Sequence, residues 1–434
     1  MRLAEVLEKG QEAIRLSICG EVVGVNGLTV WVEGARAAIG DIVEIAAKGQ
    51  RLPAQVVGVS GDRLACMPLG DTTGIAPGVS ALATNSPLRV PVGHGLLGRV
   101  VDALGNPIDG LGPLPVMPKK STDNTAPDPL TRKRIDEQLH LGIRALDTLV
   151  PIGKGQRVGI FAGSGVGKST LMSMMARNTS ADVVVVGLVG ERGREVREFI
   201  ENDLGKEGLA KSVVVVATSD MPPMVRLQAT FTATRIAEHF RDQGSDVLLF
   251  VDSITRTMTA QREVGLSAGE PPAARAFPPS AFAMLPRLLE RAGASDAGSI
   301  TGIYTVLVEG DDMQDPVADS ARSILDGHIV LDRDLATSNH YPAIDVLGSV
   351  SRVAPAISSP DQDVHVATIK RLLAAYRDAK VLIEVGAYVP GTNADVDTAV
   401  RLMSRINDFL RQMTKDAPSL EESQRQLAEI ASAA

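Results

Sequence analysis

Short apolar runs separated by glycine-rich turns occupy residues 16–89. The runs are rich in β-branched side chains and lie at 16–19, 22–25, 28–32, 42–45 and 54–59. Short strands at this spacing, with turn residues between them, are typical of a small antiparallel barrel. Ahead of them, apolar residues recur at helical spacing and predict a short amphipathic helix over 2–15, which either packs on the barrel or docks a partner.

A stretch rich in proline and glycine, residues 105–129, favours an extended linker after the barrel. Beyond it, helical stretches such as 224–243 alternate with strand-like runs. Those runs lie at 157–161, 183–189, 213–217, 247–251 and 300–308. Such alternation is typical of a parallel sheet covered by helices on both faces. After about residue 355 the strand-like runs stop, and helix-favouring stretches at 366–379 and 395–412 follow.

These patterns predict an α/β fold in which a parallel-sheet core is preceded by a small N-terminal β-barrel and followed by a small helical C-terminal domain. A chain of 434 residues is long enough for such a division. The predicted domains are 1–90 for the helix and barrel, 91–355 for the core with an entry linker at 91–150, and 356–434 for the helical domain.

Composition narrows the classes of function. The net charge is −8 and only 3% of residues are aromatic, with Trp31 the single tryptophan, which argues against a nucleic-acid-binding protein. Two cysteines, Cys19 and Cys66, are too few for a disulfide framework and indicate a reducing, cytoplasmic setting. The sequence predicts no cleaved signal and no membrane span, and its six histidines lack the spacing of a structural metal site.

A glycine-rich segment that ends in Lys168 and Ser169 follows the strand-like run 157–161 and precedes a helix-favouring run. Strand, loop and helix in this order predict a phosphate-binding P-loop, although its first position is Ala162 rather than glycine. Backbone N–H groups and the helix N-terminus would hold the phosphates, Lys168 would reach the β- and γ-phosphates, and the Ser169 hydroxyl would bind Mg²⁺. The predicted nucleotide-binding residues are Gly163, Ser164, Gly165, Val166, Gly167, Lys168, Ser169 and Thr170.

Two further strand-like runs lead into acidic residues. The run 247–251 ends at Asp252, the position where P-loop enzymes hold hydrated Mg²⁺. The run 183–189 leads into a segment that carries Glu191 and Glu195, and a carboxylate at that end of a parallel strand can orient or deprotonate a water molecule. The pattern does not choose between the two glutamates, and it also fits a solvated helix start joined by ion pairs.

Five motifs together resemble the ATPases of flagellar and type III protein export, within the wider rotary-ATPase superfamily. They are Ala162–Ser169, Gly190–Glu195, Glu309–Asp312, Leu325–Leu331 and His340–Asp345. The likeness extends over nearly the whole chain, including residues 98–107. It implies a homohexameric ring of RecA-like P-loop cores that hydrolyses ATP with Mg²⁺ at the interfaces between subunits.

The resemblance also implies roles for single residues. It selects Glu191 as the catalytic carboxylate and puts Arg192 beside it at the phosphate end of the site. Arg352 matches an arginine finger that enters the neighbouring subunit's site. Tyr341 matches an aromatic residue that packs on adenine, and Phe409 is similar to a second wall of that pocket. Without the resemblance, Tyr341 reads as core packing and Arg352 as a surface cation.

The partners implied by the resemblance are further copies of the chain, regulator or stator proteins of the export apparatus, central-stalk proteins, export cargo and its chaperones. A membrane export gate is also implied, so the expected location is the cytoplasm with peripheral association at the inner face of the cell membrane. Nucleic acid is not an expected partner.

Other functions have specific marks that can be sought in the chain. The catalytic subunit of a rotary ATP synthase usually has glycine at position 162 and an acidic helix-turn-helix, which residues 386–393 lack. A non-catalytic nucleotide-holding subunit usually lacks the carboxylate of Glu191, and a hexameric RNA translocase would carry basic and aromatic residues in its N-terminal domain. Within the export family, residues 318–322 look flagellar and 339–347 look closer to the injectisome. Flagellar export is the favoured prediction.

Overall fold

The structure is a computed structural model that describes residues 19–308 and 315–434. The helix predicted over 2–15 and the motif Glu309–Asp312 lie outside the described residues. Among the helices that are described, none combines the length and the hydropathy that a membrane span requires.

The predicted N-terminal barrel is confirmed. Its strands close in the order β1-β2-β5-β4-β3-β6. They are β1 (Cys19–Asn26), β2 (Thr29–Glu33), β3 (Asp41–Ala47), β4 (Gln50–Ser60), β5 (Arg63–Pro68) and β6 (Ser80–Pro87). The sequence pattern did not predict β5 and β6. Alternating side chains such as Val30, Val32, Val43 and Ile45 fill the barrel interior, as the two-residue period of a strand requires.

The core is a mixed sheet whose strands lie in the order β17-β16-β10-β15-β13-β11-β12-β8. These are β8 (Val100–Asp102), β10 (Arg157–Ala162), β11 (Val183–Glu191), β12 (Ser212–Thr218), β13 (Asp246–Asp252), β15 (Ser299–Leu307), β16 (Gly327–Leu331) and β17 (Ile344–Ser351). The pairings from β8 to β16 are parallel, as predicted, and β17 adds an antiparallel edge to β16. A short strand, β14 (Gly293–Ala294), pairs with β15, and β7 (Arg89–Pro91) pairs with β9 (Lys119–Ser121) within the predicted linker.

Helices cover the core sheet and form the C-terminal part of the described chain. They are α1 (Arg144–Thr148), α2 (Lys168–Asn178), α3 (Gly193–Glu198), α4 (Gly205–Ala210), α5 (Pro223–Arg241), α6 (Ile254–Ser267), α7 (Pro279–Leu289), α8 (Pro316–Ile324), α9 (Arg333–Thr337), α10 (Ala354–Ile357), α11 (Pro360–Glu384), α12 (Ala394–Leu410) and α13 (Leu420–Ala431). Single turns of 3₁₀ helix lie at His94–Leu96 and Ala274–Ala276, and a π-helical segment joins α3 to α4 at Phe199–Leu204.

The helical C-terminal region packs directly on the face of the sheet that carries α2. Ile369 of α11, Leu402 and Ile406 of α12, and Leu427 of α13 share one hydrophobic cluster with the buried side of α2. The helix predicted over 395–412 ends earlier, at Leu410, because the backbone N–H of Gln412 turns away to bond a carbonyl of the core. The helical region and the helix that follows the P-loop therefore share one packed core.

Candidate active site

The P-loop joins the carboxyl end of β10 to the start of α2. β10 is almost fully buried between its parallel neighbours β15 and β16, so the loop starts from a fixed point. Gly165 and Gly167 have φ values of +76° and +90°, a region that favours glycine and lets successive N–H groups face one centre. The loop ends at Lys168, the first residue of α2, where the helix dipole favours phosphate.

Lys168 lies between two carboxylates. Its Nζ donates a hydrogen bond to Asp252 Oδ1 at the end of β13 and lies 3.7 Å from Glu191 Oε1 at the end of β11. Asp252 is only 3% exposed, and its Oδ1 also accepts a 2.6 Å hydrogen bond from Thr305 Oγ1 on the intervening strand β15. A buried carboxylate needs such donors and a cation, which the lysine supplies here.

Glu191 has the electrostatic properties of a group poised near neutrality. The pKa of Glu191 is raised to about 7: burial is the largest cause, the charge of Asp252 and the neighbouring Glu195 add to it, and Lys168 partly offsets these effects. Glu195 behaves oppositely: its partial burial is outweighed by a hydrogen bond with Glu191 and by the charges of Arg192 and Arg194, which lower its pKa. A base near neutral pH suits proton transfer, so Glu191 is the better-placed carboxylate.

The backbone conformation and close packing at position 190, just before Glu191, require glycine. Gly190 has a φ of +73°, and a Cβ at this position would lie 2.9 Å from Arg256 Cβ. Arg192 follows with an exposed side chain whose Nη1 donates to Glu195 Oε1 at 3.3 Å. In this structure the guanidinium of Arg192 therefore pairs with Glu195.

The side chains present suit Mg²⁺. The hydroxyl of Ser169 follows Lys168 on an exposed position of the first turn of α2, and Asp252 supplies carboxylate oxygens that already hold one cation, the ammonium of Lys168. Hydroxyl, carboxylate and phosphate oxygens are the ligands that Mg²⁺ prefers.

Tyr341 lies over the P-loop, immediately before the edge strand β17. Its ring atoms are 3.3 and 3.4 Å from the point that a Cβ on Gly167 would occupy. The residue is 40% exposed, so one part of the ring packs on the loop and another is open. The reading of Tyr341 as ordinary core packing is therefore excluded by its exposure.

Arg352 lies at the other end of β17. Ser351 pairs with Gly327, which pairs with Val158 near the start of β10, whereas the P-loop follows the end of β10. The separation along the strand is roughly 13 Å. Arg352 is exposed, and within the described ranges its guanidinium donates a single hydrogen bond, from Nη2 to the carbonyl of Arg322 at 3.4 Å. Lys168 and Arg352 of one chain are therefore not brought together.

Phe409 is not an open wall in this structure. It is 5% exposed and belongs to the hydrophobic cluster between α12 and the core, while its carbonyl accepts a 2.7 Å hydrogen bond from Arg144 Nε. The role of Phe409 as a second wall of the adenine pocket stays a prediction, and the burial of its side chain weighs against that role. The residue that contacts the Tyr341 backbone is Gln412, whose N–H donates to the Tyr341 carbonyl at 2.8 Å.

Two residues near the site were missed by sequence reasoning. Thr305 sits in the middle of a β-branched run that looks like any buried strand, and Gln412 falls in a stretch predicted to be helix. Neither carries a spacing signal, because their partners come from distant parts of the chain.

Family models match the chain in three successive segments. The beta-barrel domain of the ATP synthase alpha/beta family matches residues 22–85, and the nucleotide-binding domain of that family matches 142–351. The T3SS EscN ATPase C-terminal domain matches 358–429. The flagellum-specific ATP synthase of Bacillus subtilis (strain 168) is 51% identical over 408 residues, which are 93% of either chain. The chain belongs to the flagellar and type III secretion ATPase family. It is an ATPase, and the resemblance inferred from its motifs is confirmed.

Other relatives agree with this assignment. The type 3 secretion system ATPase of Xanthomonas euvesicatoria is 48% identical over 404 residues, 93% of this chain and 91% of the relative. The assembled ATPase EscN of enteropathogenic E. coli has the same fold, with a TM-score of 0.90 and 43% identity over 95% of this chain and 100% of that one. The C-terminal match to a secretion ATPase separates this chain from the catalytic subunits of rotary synthases.

Proposed function

We propose that this ATPase energises type III protein export, in flagellar assembly, by Mg²⁺-dependent hydrolysis of ATP at sites shared between copies of the chain. The 51% identity to a flagellum-specific ATP synthase supports the flagellar assignment. The injectisome is the second candidate, since a type 3 secretion system ATPase is 48% identical and the EscN fold matches the chain. Flagellar export and injectisome secretion would use the same catalytic residues of this chain.

The P-loop residues 163–170 and Lys168 would bind the phosphates. Ser169 and Asp252 would hold Mg²⁺, which supplies charge neutralisation at the phosphates when bound. A triphosphate competes with Asp252 and Glu191 for the Lys168 ammonium, so nucleotide binding removes the cation that now neutralises both carboxylates. Glu191, with a pKa near 7, would then accept the proton of the attacking water.

Tyr341 would pack on the adenine through the open part of its ring. Arg192 is proposed at the phosphate end beside Glu191, which requires that it leave Glu195. Phe409 as a second adenine wall would likewise require movement of α12, because its side chain is buried.

The position of Arg352 is the observation that carries a shared site. It lies at the amino end of the parallel strands, whereas its own P-loop lies at their carboxyl end. Its side chain is exposed and has no carboxylate within 4 Å among the described residues. An arginine finger at that end can reach a γ-phosphate only in another copy. The EscN relative is described as assembled, and in complex with its central stalk EscO. We extend this to a homohexamer with a stalk partner.

The proposal also includes further partners and a location in the cell. They are regulator or stator proteins, cargo and chaperones as partners, and a cytoplasmic location with peripheral binding to a membrane export gate. The division of the chain at residues 90 and 355 is also retained.

Mixing two inactive variants tests the shared site. Arg352→Ala chains lack the finger, and Glu191→Gln chains lack the base. In a mixed assembly, some interfaces combine Glu191 of one copy with Arg352 of the next, so ATP hydrolysis should return in part when the two are mixed. Differently tagged variants that co-purify without any recovered hydrolysis would contradict the trans role of Arg352. An inactive wild-type chain that binds no ATP would contradict the whole proposal.

A further inference from the structure

Gln412 connects the helical region to the core at the nucleotide cleft. It follows the end of α12, is 5% exposed, and bonds four separate backbone positions. Oε1 accepts from Arg144 N at 3.0 Å, Nε2 donates to Gly142 O at 2.7 Å and to Asp416 O at 3.2 Å, and the backbone N–H donates to Tyr341 O at 2.8 Å.

The side-chain amide of Gln412 is hydrogen-bonded through both its nitrogen and its oxygen. Both Nε2 hydrogens have acceptors and Oε1 has a donor, so a buried amide is satisfied only with Gly142, Arg144 and Asp416 in place. An apolar side chain of the same size would leave Gly142 O and Arg144 N without these partners, whereas Asp416 O would keep its bond from Asn178 Nδ2. Leaving such groups unpaired costs more than the hydrogen bonds themselves contribute.

The segment that Gln412 begins is also bonded to the far end of α2. Arg177 Nη2 donates to Thr414 O at 2.7 Å, and Asn178 Nδ2 donates to Asp416 O at 3.1 Å. Since α2 starts at Lys168 and ends at Asn178, this one helix connects the phosphate lysine to the segment 414–416. Gln412 therefore bonds the carbonyl of Tyr341 directly and is linked to α2 through Asp416.

We propose that Gln412 is a positioning residue: its buried side-chain amide fixes the backbone N–H that bonds the Tyr341 carbonyl, holds the Tyr341 ring at its separation from the P-loop, and so sets the affinity of the enzyme for the base of the nucleotide. The proposal rests on the proposed role of Tyr341 in stacking on adenine. Among the described contacts, Gln412 bonds the Tyr341 carbonyl directly, bonds none of the P-loop residues 163–170, and reaches α2 through Asp416. Its substitution should therefore affect binding of the base more than binding of the phosphates.

Two probes separate these effects: ADP, which has a base, and inorganic tripolyphosphate, which has only phosphates. In the full-length protein, Gln412→Met should weaken ADP binding by about 3- to 10-fold in calorimetric titration and leave the tripolyphosphate Kd within twofold. In steady-state hydrolysis, KM for ATP should rise by the same factor with kcat within about twofold, the signature of lost uniform binding.

The matched control is Gln228→Met. Gln228 is another buried, hydrogen-bonded glutamine, but it bonds Gln55 of the barrel and Thr122. It should lower the melting temperature without changing the ADP-to-tripolyphosphate ratio. Gln412→Asn, which keeps the amide and shortens its reach, serves if the methionine variant does not fold, and should change the ratio in the same direction by a smaller factor.

A double-mutant cycle with Tyr341→Ala identifies which idea fails. Tyr341→Ala alone should weaken ADP binding by about tenfold or more, as loss of a stacked base does. Adding Gln412→Met should then cause little further loss, because the ring it positions is gone. If Tyr341→Ala leaves ADP affinity unchanged, the stacking role of Tyr341 is wrong. If Tyr341→Ala weakens ADP binding but Gln412→Met does not, or weakens both ligands equally, the positioning role is wrong.

Discussion

The carboxyl ends and the amino ends of the parallel strands, here called the carboxyl edge and the amino edge of the core sheet, carry basic residues in contrasting surroundings. At the carboxyl edge, Lys168 is partly buried and contacts both Asp252 and Glu191. At the amino edge, Arg352 is exposed and has one 3.4 Å contact to a backbone carbonyl. Arg157 at the same edge is different, because its guanidinium forms two hydrogen bonds with Asp326.

Under the proposed function, this difference separates a charge that acts within its own chain from one that would act on a neighbouring copy. Lys168 has carboxylates to neutralise before any nucleotide binds, so the charges at the carboxyl edge are paired within one chain. Arg157 is committed to holding β10 and β16 together. Arg352 has no such commitment among the described residues, and a planar, always charged side chain left open is suited to an anion supplied by a neighbour.

The largest expected effect is at the carboxyl edge. Lys168→Ala removes the ammonium that binds the β- and γ-phosphates, so neither saturable ATP binding in calorimetry nor turnover should be detected. Lys206→Ala, an exposed lysine on α4, is the control and should behave as the parent. Near-normal ATP affinity in Lys168→Ala would contradict the P-loop assignment.

At the amino edge, Arg352→Ala should lower kcat by about 10³- to 10⁵-fold, because a finger stabilises charge that develops in the transition state. ATP affinity should stay within a few-fold. The control is Arg322→Ala, since Arg322 is nearby but already pairs with Asp319 at 3.0 Å. Equal losses in both variants would mean that the charge of this edge matters, not the finger.

Glu191→Gln should retain ATP affinity and reduce hydrolysis by about 10²- to 10⁴-fold, because the amide has nearly the same shape but is a far poorer base. Glu195→Gln should keep hydrolysis within a few-fold of the parent. Single-turnover measurements compare the two directly. A dead Glu195→Gln enzyme beside an active Glu191→Gln enzyme would show that the wrong carboxylate was chosen.

The smallest effect is on the stability of the nucleotide-free protein. In the folded state the pKa of Glu191 is raised to about 7, above its pKa in the unfolded chain. The stability that this shift contributes is fully present below the pKa of the unfolded chain and is lost as pH rises through about 7. At pH 8, with chelator present, Glu191→Gln should therefore raise the unfolding free energy by about 2 kcal/mol, and most of the gain should be lost by pH 5. Glu195→Gln should give no gain at pH 8, because the pKa of Glu195 is lowered. Denaturant unfolding at the two pH values measures both, and a gain that does not change with pH would contradict the electrostatic cause.

Much of the molecule is readable from local pattern. The barrel, the parallel strands and the P-loop follow from short-range periodicity and glycine placement, since a strand, a tight phosphate loop and a helix are each specified by neighbours in the chain. The runs 157–161 and 247–251 match β10 and β13 almost residue for residue. The likeness of the five motifs then supplied Glu191, Tyr341 and Arg352, which pattern alone left open.

Other features depended on contacts between distant segments. Strand β17 is not apparent in the apolar pattern, yet its antiparallel pairing with β16 puts Tyr341 at the P-loop and Arg352 at the opposite edge. The early end of α12, and with it the bonding of Gln412 to residues 142, 144 and 341, has the same origin. Periodicity reports which face of an element is buried, whereas partners far apart in the sequence are chosen by how complete elements pack and by the need to satisfy buried polar groups. Those two requirements exist only in the folded chain.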